Sequence, residues 1–217
     1  MSSDLIDLER CLRIPLIEPY AGFDISADGN QAAFSWNLSG QWEVYLLDLQ
    51  KQAKPAQITS GPGAKLGPRF TPDGLGLWYL LDEDGSEEYD IWFQDLQSGM
   101  KRNLTPDTPE AIQPNFDRSS DGRWIAYQSN RSGRFSTYLL STDAHKDQFS
   151  AGEPEPVFTE GGPHWDVRFS PEGSWLAVVG ESSGQDHTTT LINISKCKKA
   201  GLVQQIELEG RPLNALQ

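Results

Sequence analysis

The chain has 217 residues, 37% of them apolar and 10% aromatic, with 20 glycines, 14 prolines and seven tryptophans; this suffices for a sizeable core and points to turn-rich all-β structure rather than disorder. A formal net charge of −13 repels phosphate backbones and anionic lipid, which argues against nucleic-acid and membrane partners. No apolar run approaches the ~20 residues of a membrane-spanning helix.

Residues 1–18 form a lead-in. Leu5, Leu8 and Leu12 share one helical face, with Ser3 or Asp4 as N-cap and Pro15 as the stop, so a short amphipathic helix is expected over 3–13, docked outside the units that follow. The charged start lacks the basic and apolar regions of a secretory signal, and a cytoplasmic location is expected. Cys11 and Cys197 stand apart without metal or redox spacing and read as inert thiols. Neither a metal nor another cofactor is expected.

From residue 19 onward the sequence repeats. Strands are expected at 22–26, 31–36, 42–47 and 56–59, then at 68–71, 77–81, 89–94 and 101–105. The third unit places them at 114–117, 124–129, 135–140 and 156–159, and the fourth at 165–170, 175–179, 188–194 and 203–208. An Asp-Gly or Glu-Gly turn joins the first two strands of each unit, at Gly29, Gly74, Gly122 and Gly173, spaced by 45, 48 and 51 residues. Eleven residues after each stands a second glycine, Gly40, Gly85, Gly133 or Gly184, and five after each stands Phe34, Tyr79, Tyr127 or Val178.

Four strands in about 45 residues is the arithmetic of a β-propeller blade. Leu77-Trp78-Tyr79-Leu80-Leu81 and Trp175-Leu176-Ala177-Val178-Val179 are apolar on both faces, so both need cover from neighbouring sheets. The fold expected is all-β: four four-stranded antiparallel blades, about 19–63, 64–110, 111–163 and 164–210, within one propeller domain over 19–217. The third unit has two more residues between Phe116 and its turn than the second has after Phe70, which suggests a bulge or a longer loop there. A polar insertion over 143–155 is expected to form an outer loop.

Few residues carry chemistry. Gly180-Glu181-Ser182-Ser183-Gly184 fits the G-x-S-x-G pattern of a hydrolase nucleophile, but a β-branched run follows where that pattern needs a helix, and Gly184 belongs to the second glycine series. A hairpin is the better reading, and an active hydrolase resting on Ser182 ranks last. His145, His164 and His187 have no metal spacing and are expected at the surface. The acidic run from Asp82 to Asp90 lacks calcium-loop spacing and reads as a solvated hairpin tip. The tryptophans mostly fall within expected strands and read as packing residues. No catalytic residue is assigned.

Phe70-Thr71-Pro72-Asp73-Gly74 and Phe169-Ser170-Pro171-Glu172-Gly173, each followed by an aromatic-rich strand, resemble the propeller repeat shared by TolB and the prolyl oligopeptidase family of serine peptidases. Ile25-Ser26-Ala27-Asp28-Gly29 is a looser copy, and the resemblance runs from Tyr20 to Leu208. The leading helix and the missing signal look more like the amino-terminal half of an acylaminoacyl or dipeptidyl peptidase. There a propeller covers a following α/β-hydrolase domain and admits only short or unfolded peptides. The resemblance then implies a non-catalytic gating portion whose catalytic domain is absent, with peptides or a hydrolase domain as partners. Glu87 and Glu88 are its candidate contacts to a peptide amino terminus, although dipeptidyl peptidases carry their glutamates on a helical excursion that is not evident here. The alternative is a free-standing TolB-like interaction scaffold. The array is expected to be open, with self-association through its first and fourth blades, whereas the alternative scaffold would close as a four-bladed ring.

Overall fold

The computed structural model describes residues 14–20, 22–51, 53–106, 112–142, 151–183, 186–194 and 206–207. The helix expected over 3–13, Cys11, Cys197, His145, Gly184 and most of the expected insertion after Asp143 lie outside these residues. The described residues form four antiparallel four-stranded sheets. Blade 1 comprises β1 (Phe23–Ile25), β2 (Gln31–Trp36), β3 (Glu43–Asp48) and β4 (Ala56–Gln57). Blade 2 comprises β5 (Ala64–Phe70), β6 (Gly76–Asp82), β7 (Asp90–Asp95) and β8 (Lys101–Asn103). In blade 3 the strands are β9 (Ile112–Arg118), β10 (Trp124–Ser129), β11 (Ser136–Ser141) and β12 (Glu155–Phe158). In blade 4 they are β13 (His164–Phe169), β14 (Trp175–Ser183), β15 (Asp186–Asn193) and β16 (Ile206–Glu207). The expected architecture and nearly every expected strand position are found.

One local device builds all four blades. Gly29, Gly74, Gly122 and Gly173 have φ between 67° and 72°, a left-handed conformation that glycine adopts without a Cβ penalty. The N–H of each donates to the carbonyl of Ser26, Thr71, Ser119 or Ser170 at 2.8 to 2.9 Å. The hydroxyls of Ser26, Thr71 and Ser119 donate to Asp28, Asp73 and Asp121 at 2.5 to 2.6 Å. They also accept the N–H of Gln31, Gly76 and Trp124, which opens or precedes the second strand. Each Ser/Thr-x-Asp-Gly thus satisfies its own turn's polar groups and starts the next strand.

These turns also correct the reading of the third unit. Its turn is no longer than the others, because Ser119 takes the place of Thr71 and Arg118 that of Phe70. Phe116 stands two residues earlier, where blade 1 has Phe23. The turn hydrogen bonds set the register, and a phenylalanine is only a side chain that can sit at either of two positions along it.

The strands are sandwiched as their composition demands. All of β6 is buried: Leu77, Tyr79 and Leu81 pack toward blade 1 with Ala33 and Phe70, and Trp78 and Leu80 toward blade 3 with Phe116, Ile125 and Tyr127. Ala126 and Leu139 of blade 3 meet Val167, Leu176 and Val178 of blade 4. Blade 1 packs on blade 2, blade 2 on blade 3 and blade 3 on blade 4, chiefly through the inner strands β5, β9 and β13, and among the described residues no comparable packing joins blade 4 to blade 1. Cover on both faces was expected for Trp175 to Val179, yet only Leu176 and Val178 are fully buried, while Trp175, Ala177 and Val179 are half-buried. No described blade follows to cover them.

Candidate functional site

The inner strands carry one charged residue each at the same place. Five residues before the turn glycine stand Asp24, Arg69, Asp117 and Arg168, and each reaches for the next blade or its own strand. Asp24 Oδ2 accepts the N–H of Phe70 at 2.8 Å, and Asp117 Oδ2 accepts that of Phe169 at 2.8 Å. In the alternate blade, the Arg69 guanidinium lies over the Phe116 ring, 5.9 Å from its centroid, within cation–π range. Arg168 Nη1 donates to Val167 O at 3.2 Å and pairs with Asp166 Oδ1 at 3.4 Å. Arg118 Nη2 of blade 3 reaches Asp24 Oδ2 of blade 1 at 3.4 Å, so the inner strands surround a common axis. Asp24, Arg69, Asp117, Arg118, Asp166 and Arg168 form a girdle of alternating charge around it.

The girdle is half-buried, which raises the stakes of each pairing. Burial acts against the charge of Arg69, while Asp24 and Asp117 support it; a guanidinium stays protonated regardless. Burial pushes the Asp166 carboxyl up from its ordinary value, with Arg168 pulling the other way. Beside the girdle, Asn115 Nδ2 donates to Trp165 O at 2.5 Å. Arg118 Nε, Asn115 Oδ1 and Trp165 Nε1 are buried without a hydrogen-bond partner among the described residues. Two donors and an acceptor in this state suit the polar groups of a bound chain or ordered water. Charge-assisted hydrogen bonding is what this arrangement can perform.

Glu87 and Glu88 stand elsewhere. They sit exposed at the β6–β7 tip, with Glu87 at a φ of 62°. Arg69 pairs with Trp78 on β6, about 13 Å of strand from Asp82 at the tip end, and among the described residues no hydrogen bond or ion pair joins the two glutamates to the girdle. Part of the acidic run is structural. Asp82 accepts the N–H groups of Gly85 at 2.8 Å and Glu87 at 3.2 Å, and Asp90 accepts Asn103 Nδ2 and Thr105 Oγ1, each at 2.8 Å.

The Gly-x-Ser-x-Gly match lies on a hairpin: β14 continues into β15 with Glu181 opposite His187 and Ser183 opposite Asp186. The strand–turn–helix context of a nucleophile is absent at this position. Among the described residues no group of three or more His, Cys, Asp or Glu side chains is placed to hold a metal, and no helix is long and apolar enough to cross a membrane.

His187 is exposed as expected, but His164 is a correction: it is 1% exposed. Its Nε2 donates to Glu160 O at 3.0 Å, which leaves Nδ1 to accept from Thr137 Oγ1 at 3.0 Å, and the ring stacks on Phe158 at 4.6 Å. Burial lowers its pKa. The cause is its place in the repeat, since its N–H donates to Phe135 O at the blade 3–4 joint as that of Lys65 donates to Trp42 O at the blade 1–2 joint. Lys65 is itself buried, with Nζ bonded to Glu43 Oε1 and to the carbonyls of Gly61, Pro62 and Gly63. Sequence reasoning missed Lys65, His164 and the girdle. Only the girdle left a signal, the Asp/Arg alternation in register with the turn glycines.

The family model described as the TolB beta propeller domain matches residues 15–212. Among curated proteins, the Tol-Pal system protein TolB of Francisella tularensis subsp. mediasiatica is 26% identical over 165 residues, covering 76% of this chain and 36% of that protein. The chain thus spans about a third of the length of this relative. Among solved structures, TolB from Acinetobacter baumannii superposes with a TM-score of 0.68 at 20% identity, over 89% of this chain and 43% of that one. A puromycin-hydrolyzing peptidase of Mycobacterium tuberculosis superposes at 0.63 with 13% identity, over 87% and 31% of the two chains. At these identities the structural likenesses speak to the fold.

Proposed function

We propose, from the premise that the chain belongs to the TolB beta propeller domain family, that it is a non-catalytic scaffold that binds a polypeptide segment at the charged girdle. What supports the reading is that half-buried, alternating charge: the side chains of Asp24, Arg118, Asp166 and Arg168 keep between 20% and 37% of their surface open. Fixed charges of both signs around an axis suit a chain that brings carbonyls, N–H groups and mixed side-chain charge, and disfavour a uniformly anionic ligand. Fluorescence anisotropy with short labelled peptide pools of different net charge tests it. A mixed-charge pool is expected to bind, less tightly as salt rises, with Arg118→Gln and Asp166→Asn each weakening binding about tenfold through one lost charge-assisted hydrogen bond. Equal binding by wild type and both variants, or none by any pool, would refute the reading.

The finer reading is a peptidase gate, in which the blades cover an α/β-hydrolase domain and admit peptides past Glu87 and Glu88. It draws on the repeat motif that the prolyl oligopeptidase family shares. Treating cells that express the native gene with a fluorophosphonate probe separates the two: a labelled polypeptide that also reacts with antibody to these blades favours the gate. An unlabelled one favours the scaffold.

A further inference from the structure

The joint between blades 3 and 4 holds polar groups where the joint before it is apolar. Six residues after its turn glycine, blade 3 carries Gln128 where blade 2 carries Leu80. Leu80 belongs to an apolar cluster, so the repeat itself asks for no amide at this place. Gln128 is 0% exposed, and neither its Nε2 nor its Oε1 has a hydrogen-bond partner among the described residues.

The neighbours of Gln128 define the direction in which it points. Its registered partner on β11 is Thr137, whose hydroxyl meets His164 of blade 4, so both side chains face blade 4. On the other side, β9 shifts register opposite Gln128, and there Asn115 reaches across to Trp165 O of blade 4. Asn115, Gln128 and Thr137 thus run outward from the inner strand in one polar row. Asn115 and Trp165, at the inner end beside the girdle, are half-buried.

The unpartnered atoms of this row are of both kinds: Gln128 Nε2 and Trp165 Nε1 donate, while Gln128 Oε1 and Asn115 Oδ1 accept. A buried polar atom left unpaired carries a desolvation cost that Leu80 avoids one joint earlier, so a polar occupant is called for. A carboxylate offers only acceptors, and an ammonium or guanidinium only donors; either also brings a charge that is costly to bury. A primary carboxamide is neutral and carries one acceptor and two donors on a planar head, which matches the amide of Gln128 edge to edge. Glutamine, longer than asparagine, has the reach to pass β9 and meet β10, one strand spacing of about 4.8 Å further out.

We propose that the row between Asn115 and Gln128 receives a glutamine side chain of the polypeptide bound at the girdle, its carboxamide paired with that of Gln128. The proposal rests on the reading of the girdle as a polypeptide site and adds the residue that the site selects.

Fluorescence anisotropy on the full chain with three labelled mixed-charge peptide pools tests it. Each peptide of the first pool carries one glutamine at a varied position, and methionine or glutamate stands in its place in the other two. The glutamine pool is expected to bind about tenfold more tightly than either. Gln128→Leu, which installs the residue of blade 2, is expected to bring the glutamine pool down to the methionine pool, and a thermal melt shows whether this variant is folded. Equal affinity of the wild type for all three pools overturns the proposal whatever the variant does, and means that the row holds ordered water only. So does a folded Gln128→Leu that weakens every pool alike, the mark of a structural role. Binding of none of the pools refutes the girdle reading itself, and the glutamine proposal falls with it.

Discussion

Replacing Lys65 with methionine removes a cation from the joint between blades 1 and 2 while keeping most of its apolar stem. Lys65 Nζ lies 3.1 Å from Glu43 Oε1, 2.6 Å from Gly61 O, 2.8 Å from Pro62 O and 3.1 Å from Gly63 O. The three carbonyls belong to exposed or half-exposed residues and can turn to water, so they contribute little to the loss. Glu43 decides the outcome. Its side chain is 3% exposed and, among the described residues, keeps only Thr59 Oγ1, at 2.5 Å, as a donor to its carboxylate. Leaving one member of a buried pair uncompensated costs about 3–5 kcal/mol, a large part of the roughly 5–15 kcal/mol that holds a domain folded. With a urea slope of about 2 kcal/mol per molar, the midpoint should fall by about 2 M. Urea unfolding followed by tryptophan fluorescence measures this. The double variant Glu43→Gln/Lys65→Met removes both charges and should be more stable than Lys65→Met alone. A single-variant loss below about 1 kcal/mol, the value of an exposed pair, or a double variant whose loss is the sum of the two single losses, would refute the reasoning.

His164 predicts a pH dependence. Its folded pKa is lowered, so the unfolded chain binds the extra proton first; stability is full above the unfolded value near 6.5 and declines as pH falls toward the folded one. Urea midpoints between about pH 7.5 and 5 should show this slope, and His164→Gln should flatten it. Gly122→Ala should destabilise by about 1–3 kcal/mol more than Gly74→Ala. Both glycines have positive φ, but a Cβ at Gly122 would lie 2.5 Å from Pro72 Cγ while one at Gly74 meets nothing within 4 Å; thermal melts of the two variants compare them. Because Ser182 lies on the β14 hairpin, a fluorophosphonate probe should leave the purified chain unlabelled. Labelling that vanishes in Ser182→Ala would reverse that reading.

What the amino-acid sequence determined by itself is everything that a turn and its two flanking strands settle locally. Each Ser/Thr-x-Asp-Gly closes its hydrogen bonds within five residues, and glycine adopts the required φ without a Cβ penalty, so the blades, their register and the hairpin reading of Ser182 were legible from spacing. The doubly apolar run in β6 likewise announced cover on both faces. The misreading at Phe116 came from following a side chain rather than the turn. The tertiary structure alone decided what meets across blades: Lys65 with Glu43 over 22 residues, Asp24 with Phe70 over 46, Asp117 with Phe169 over 52, and Arg118 with Asp24 over 94. The burial of His164 and the exposure of Phe23 belong with these, since both depend on whether a neighbouring sheet is present. Strand periodicity states which residues share a face. How one blade is rotated against the next determines which charges share an axis, and that rotation comes from packing between sheets, which leaves no period in the chain.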